Sequence, residues 1–197
     1  MITLGVVADT HIPDRMRALP QAALDALRGV DAILHAGDVC VRPVLDTLAQ
    51  IAPVHAVRGN RDLFVRLPRT LRLEFEGVRL GLTHGHGGLA GYVREKLRYY
   101  TVGFTDDHYL AQVRASFSGV DVIVFGHSHR PVNQRRDGVL LFNPGSLGPD
   151  YRPPYGPAIG RLTIENGAVQ GEIIPIPIPG AVITEDPRTR LSQRSKP

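Results

Sequence analysis

The first sixty residues most narrow what this chain can fold into. Ile2–Ala8, Asp31–Ala36 and Pro53–Val57 are short apolar runs rich in β-branched residues, each the length of a buried strand. Between them, Pro20–Arg28 and Pro43–Ile51 carry apolar residues at helical spacing. Gly29 suits the C-terminal cap of the first helix, and Pro43 is tolerated in the first turn of the second. Strand, helix, strand, helix, strand in this rhythm implies right-handed βαβ units and a parallel sheet.

The rhythm then changes. Leu71–Glu76 and Val78–Thr83 flank Glu76-Gly77 and predict a hairpin. Leu89–Tyr100 and Asp106–Phe117 read as helices, and Asp121–Phe125 is another fully apolar strand. Asp137-Gly138, between Val132–Arg136 and Val139–Phe142, is a strong hairpin signal. Asn166-Gly167 gives another between Ile159–Ile164 and Val169–Ile174. Strands of both polarities, with helices early and central, predict two packed mixed β-sheets flanked by helices. That is a four-layer α/β/β/α sandwich in one domain, residues 1–175. Residues 176–197, rich in proline and basic side chains, are expected to form an extended or partly disordered tail.

At 197 residues the chain can bury a substantial core. No apolar run approaches the roughly 18 residues that span a bilayer, so no membrane role is expected. A single cysteine, Cys40, rules out an internal disulfide and suits a reducing cytoplasm. The N-terminal apolar stretch runs straight into Asp9 without a cleavage pattern, so the expected location is cytoplasmic. The net charge of +4 favours anionic substrates by steering. There is no dense basic helix or aromatic-interleaved basic strand, so nucleic acid is not indicated.

The chemistry lies at the strand ends. Five strands close on polar residues, four of them beside glycine: Asp9-Thr10-His11, Gly37-Asp38, Gly59-Asn60, His84-Gly85-His86 and Gly126-His127-Ser128-His129. Ligands of open α/β sheets gather outside the carboxyl ends of the strands. Asp9 and His11, two apart on an extended backbone, can present an oxygen and an imidazole nitrogen together. A D-x-H tripeptide alone is equally a solvated turn, so the other loops must converge on it. Carboxylate, amide and imidazole donors without thiolate suit Mn, Fe, Zn or Ni. So many ligands exceed the needs of one ion, and two metals roughly 3.5–4 Å apart serve in-line displacement at phosphorus. Of the remaining histidines, His35, His55 and His108 are expected to pack or face solvent.

The ordered series D-x-H, G-D, G-N-x-D, H-G-H and G-H-x-H resembles the calcineurin-like metallophosphoesterase superfamily. The short chain and Asn143-Pro144-Gly145-Ser146 resemble its small YfcE-like prokaryotic phosphodiesterases. The resemblance spans Asp9 to Ser146. It implies the two-sheet sandwich and two divalent metal ions, manganese first among the candidates. It puts Asp9, His11 and His129 on one metal, Asn60, His84 and His127 on the other, and Asp38 between both. A bridging hydroxide would attack phosphorus.

Arg61 departs from the family pattern, where many members carry His. An arginine cannot donate a proton near neutral pH, but it can clamp a phosphate oxygen. It can also simply point away. His86 is either a proton donor or substrate contact, or a residue behind the ligands. Asp62 can orient Arg61 or a ligand by hydrogen bonding, cap a helix or sit at the surface. Cys40 reads as a buried inert thiol, and Asn143–Ser146 as a structural turn. Arg66, Arg69, Arg72 and the pair Arg135-Arg136 read as solvated faces. Leu89–Phe117, with Tyr92, Tyr99, Tyr100 and Phe104, can form a lid, a dimer surface or core, which leaves a homo-oligomer open.

The expected function is therefore divalent-metal-dependent hydrolysis of a phosphate ester, with phosphodiesters favoured. The alternatives are a phosphomonoesterase or nucleotidase on the same site, or a non-catalytic scaffold like the retromer subunit of this superfamily. Gly37-Asp38-Val39-Cys40-Val41-Arg42-Pro43 lacks the acidic residue and Arg-Gly of the Ser/Thr protein phosphatases. His84–Leu89 lacks the H-x-H-x-D-H of metallo-β-lactamase-type hydrolases.

Overall fold

The computed structural model describes residues 1–87, 105–149 and 155–177, together with positions 91, 93, 97, 100 and 101. β1 (Ile2–Val7), β2 (Ala32–His35) and β3 (Val54–Ala56) run parallel, joined through α1 (Gln21–Ala26) and α2 (Arg42–Ala49). β9 (Ala158–Glu165) and β10 (Ala168–Pro175) return antiparallel beside β1, giving the sheet order β10-β9-β1-β2-β3. The second sheet has the order β4-β5-β6-β8-β7, from β4 (Thr70–Phe75), β5 (Val78–Thr83), β6 (Val122–Val124), β7 (Val132–Arg136) and β8 (Val139–Asn143). Within it β5, β6 and β8 are parallel, whereas the β4-β5 and β7-β8 pairs are antiparallel hairpins. α3 (Asp106–Ala115) covers its outer face. Most elements end within one or two residues of the predicted runs. The predicted helix Leu89–Tyr100 lies mostly outside the described residues; Gly91, Val93, Leu97 and Tyr100 within it are helical.

Three apolar clusters make the four layers. Between the sheets lie Leu4, Val6, Leu34, Leu80, Val124 and Phe142. Val7 and Ile33, one residue on from Val6 and before Leu34, point the other way, to Leu27, Val44 and Leu48 of the helical layer. Ile123, Phe125 and Leu141 meet Tyr109, Val113 and Phe117 on the far side. A strand covered on both faces needs an unbroken apolar run, which is why β1, β2 and β6 read that way. The sheets approach most closely where the Phe142 ring lies on bare backbone. A Cβ added to Gly160 would sit 2.4 Å from that ring, and one added to Gly171 2.7 Å. Full burial of such a ring contributes roughly 2 kcal/mol.

The hairpin turns follow their dipeptides. Glu76-Gly77, Asp137-Gly138 and Asn166-Gly167 all have positive φ at both positions, as two-residue hairpins with the natural strand twist require. The open edges of β7 and β10 are tied together by side chains. Asn133 Nδ2 donates to the Gly171 carbonyl (2.7 Å) and Arg135 Nη2 to the Val169 carbonyl (3.1 Å). The Arg136 guanidinium pairs with Asp107 at the start of α3. Arg135 is exposed, as expected of a solvated face, and Arg136 is partly buried; both also act as braces. Ile176, the first residue of the expected tail, is buried and donates its N–H to the Pro157 carbonyl (2.8 Å). The expected tail otherwise lies almost wholly outside the described residues.

The topology decides where chemistry can happen. Each sheet contains three parallel strands, so each delivers three carboxyl ends to one rim. The loops after β1, β2, β3, β5 and β6 carry the polar motifs, and the loop after β8 carries Asn143–Ser146.

Candidate metal centre

The strand-end loops meet. His11 Nε2 lies 3.3 Å from His129 Nε2, and His129 Nε2 lies 3.4 Å from Asp9 Oδ1. His84 Nε2 and His127 Nδ1 both face Asn60 Oδ1, at 3.1 and 3.0 Å. Asp38 stands between the two groups. Its Oδ2 is 3.8 Å from His11 Nε2 and its Oδ1 3.6 Å from His84 Nε2. Two overlapping clusters have the compactness a cation needs: Asp9, His11 and His129, and Asp9, Asp38 and His84. All seven side chains named from sequence as ligands are therefore brought to one bowl, with Asp9 common to both clusters.

Most of these positions hold unusual backbone. φ is +54° at Asp9, +51° at His11, +54° at Asp38, +68° at His127 and +56° at His129. Left-handed conformations are costly for residues with a Cβ and collect at functional sites. Hydrogen bonds between loops hold them there. Asp9 N–H donates to the Gly37 carbonyl and His11 N–H to the Asp38 carbonyl, both at 3.0 Å. His127 N–H donates to Asp9 Oδ2 (3.0 Å). Gly59 is where two loops touch: an added Cβ would sit 2.1 Å from Asp38 Oδ1.

Behind the bowl are residues that tie its loops together. Asp62 is fully buried, and its carboxylate accepts from the N–H groups of Asp38 (3.0 Å), Cys40 (2.6 Å) and Gly59 (2.7 Å). It is neither a helix cap nor a surface group; it fastens the β2 loop to the β3 loop. Asn143 Nδ2 donates to the Gly126 carbonyl (3.0 Å), and Ser146 Oγ donates to the Asp9 carbonyl (3.0 Å). His35 is buried and accepts at Nδ1 from Gly37 N–H (3.2 Å). His55 packs edge-on against Phe75, and His108 is exposed.

The electrostatics suit an added positive charge. Burial pushes the Asp38 carboxyl up to about 7, and the neighbouring Asp9 carboxylate adds to the shift. At Asp9 burial acts in the same sense, but the imidazole of His129, helped by His84 and His11, outweighs it and holds that carboxyl below the ordinary range. Burial takes His84 down to about 3 and His11 down to about 4, so both imidazoles are neutral at pH 7. His84 Nδ1 faces the Ala36 carbonyl at 2.7 Å. That contact places the ring hydrogen on Nδ1 and turns the Nε2 lone pair into the bowl. Asp9 Oδ1 is buried and accepts no hydrogen bond. Neutral imidazoles, two adjacent carboxyls and an orphaned buried oxygen are what a divalent cation would satisfy.

Arg61 meets the bowl through its backbone, its N–H donating to Asp38 Oδ1 (2.8 Å). Its guanidinium reaches Asp14 at 3.5 Å on the exposed rim. The His86 ring lies 5.3 Å from the His84 ring, centre to centre. Both residues line a cavity of about 800 Å³ that opens beside Asn60. Cys40 is buried, and burial pushes its thiol up to about 12, so it is inert as expected.

Residues 2–167 match the family model of the calcineurin-like phosphoesterase superfamily domain. The chain belongs to that superfamily. A probable metallophosphoesterase of Methanothermobacter thermautotrophicus is 36% identical over 173 residues, 87% of this chain and 91% of that protein. One of Methanocaldococcus jannaschii is 36% identical over 174 residues, 88% of this chain and 81% of that protein. Among solved structures, Entamoeba histolytica Vps29 in complex with zinc is 26% identical, with a TM-score of 0.65, covering 88% of this chain and 98% of that one. An archaeal phosphodiesterase shares the fold at 20% identity, with a TM-score of 0.60 over 88% of this chain and 100% of that one. The motifs thus pointed to the right superfamily, one of metal-dependent phosphoesterases, and to its two-sheet α/β fold. No helix among the described residues of this calcineurin-like phosphoesterase is long and apolar enough to cross a membrane.

Proposed function

We propose that the protein hydrolyses phosphodiesters with two divalent cations, manganese being the first candidate, held in the strand-end bowl. One observation carries this reading: two compact ligand clusters overlap at Asp9, and the two oxygens of Asp38 reach toward opposite sides of the overlap. A single ion would leave half of those ligands idle. When bound, the cation pair supplies Lewis-acid charge for the phosphoryl oxygens and lowers the pKa of water enough to give a nucleophile at neutral pH.

The chain's own residues do the rest. Asp9, His11 and His129 hold one position, and Asn60, His84 and His127 the other, with Asp38 shared. Asp62, His35, Asn143 and Ser146 keep these loops in register, so that little reorganisation is needed as charge develops. Arg61 stands on the rim next to Asn60, where its guanidinium can leave Asp14 for a phosphoryl oxygen. Their 3.5 Å contact is between half-exposed groups and is weak. His86, whose ring lies beside those of His84 and His127, is an imidazole not needed as a ligand and is the candidate substrate contact. The cytoplasm is the proposed compartment.

Hydrolysis of bis(p-nitrophenyl) phosphate with added manganese tests the reading; no turnover with any divalent metal would sink it. Arg61 can be tested separately. If it binds phosphate and donates no proton, aryl esters should react far faster than alkyl esters of the same phosphate. Arg61→Gln should raise KM about tenfold, roughly 1.4 kcal/mol, while leaving that leaving-group dependence in place. A flat dependence of rate on leaving-group pKa would contradict the role.

A further inference from the structure

The cavity beside Asn60 is far larger than a phosphate group requires. Arg58, Arg61 and Arg69 form part of its wall, with a single carboxylate, Asp14, 3.5 Å from Arg61. The β3 loop sets this wall in place. Arg58 N–H donates to the Pro68 carbonyl (2.7 Å), which brings Arg58 and Arg69 to the same stretch of wall. Neither guanidinium has an acidic partner among the described residues. Arg69 is exposed, as expected from sequence, and also lines the cavity.

The same loop exposes two large apolar side chains at the cavity mouth. Leu63 is 70% exposed and Phe64 93%, and both line the cavity. The loop is not simply loose: Val65 is buried in the helix-side core, and Leu67 packs against it. Phe64 is therefore held out over a cation-lined cavity by anchored neighbours. A flat ring beside guanidinium groups suits an aromatic heterocycle joined to phosphate, since the ring stacks and the arginines take anionic oxygens.

Resting on the phosphodiesterase reading, we propose that this groove selects a nucleotide diester carrying a second phosphate. The scissile phosphate sits in the metal bowl, the base stacks on Phe64, and the second phosphate binds Arg58 and Arg69. In the reaction, an oxygen from water bonds to phosphorus as the bond to the leaving oxygen breaks. The water's protons go to solvent and to the leaving oxygen, and the second phosphate is retained unchanged.

Three chromogenic esters separate the contributions: bis(p-nitrophenyl) phosphate, thymidine 5′-(p-nitrophenyl phosphate), and the same compound with a 3′-phosphate. With manganese present, kcat/KM should rise at each step, by about tenfold for the base and about thirtyfold for the second phosphate, mainly through KM. Phe64→Ala should erase the first increment, and the pair Arg58→Gln, Arg69→Gln the second. Equal kcat/KM for all three esters, with hydrolysis intact, would overturn the groove assignment and leave the phosphodiesterase reading standing. If no ester is hydrolysed, that reading fails, and calorimetric binding of thymidine 3′,5′-bisphosphate decides the groove alone. Binding at least about tenfold tighter to the parent than to the double arginine variant supports the groove, and equal binding refutes it.

Discussion

Asp38→Asn should abolish turnover of bis(p-nitrophenyl) phosphate with manganese, lowering kcat by at least about a thousandfold, or roughly 4 kcal/mol of barrier. The amide keeps the oxygen that accepts the Arg61 N–H, so the β2 loop should keep its shape. What it lacks is the negative charge offered to both sides of the bowl. Stability should move the other way in the metal-free protein. Burial and the Asp9 carboxylate raise Asp38 from its ordinary value of 3.8 to about 7 in the folded state. Between those values the folded state holds a proton that the unfolded state has lost, so stability falls as pH rises through that window. At pH 8 the metal-free variant should therefore unfold at higher urea than the metal-free parent. Manganese should stabilise the parent and not the variant. Urea titrations at pH 5 and pH 8, with and without manganese, read all of this; an Asp38→Asn protein less stable than the parent at pH 8, both metal-free, would contradict it.

Asp62→Ala should be the most damaging change that touches no ligand side chain. Three buried backbone N–H groups, at Asp38, Cys40 and Gly59, lose their acceptor together. Leaving a buried donor unmet costs about 1–3 kcal/mol. With partial relaxation the expected loss is about 4 kcal/mol of unfolding free energy. The β2 and β3 loops would separate, so Asp38 and Asn60 would no longer face the same bowl. Manganese binding should weaken at least about a hundredfold. Calorimetric titration with manganese, beside urea unfolding, checks both. An Asp62→Ala protein that binds metal like the parent would show that the loops hold register without the carboxylate.

Much of the architecture could be read from the chain. Val6 and Val7 point into different cores, and a run apolar at every position signals a strand with two covered faces. Asp137-Gly138 and Asn166-Gly167 declare hairpins because few other dipeptides accept two positive φ values. The bowl was legible because its ligands share one grammar, a strand end followed by polar residues, in four of the five motifs beside glycine. The return of β9 beside β1, some 150 residues on, was not legible, since pairing of distant strands leaves no local pattern. Asp62 was legible only in part: hydrogen bonding to a ligand residue was one reading, but its three partners could not be named, since they are backbone amides, which look alike at every position. The structural turn expected at Asn143–Ser146 is present, and its side chains brace the Gly126 and Asp9 carbonyls. Nothing local marks Phe64 as exposed; only the fold shows that Val65 took the inward place. Within Leu89–Phe117, Val93, Leu97 and Tyr100 are exposed, whereas Tyr109, Val113 and Phe117 supply the core packing that was one of the readings.

The central claim is that loops from both sheets enclose two cations around Asp38. Anomalous diffraction from crystals soaked in manganese tests it most directly. Two peaks are expected, roughly 3.5–4 Å apart, one within reach of Asp9, His11 and His129, the other of Asn60, His84 and His127, with Asp38 between them. A single peak away from Asp38, or none in the bowl at saturating manganese, would contradict it.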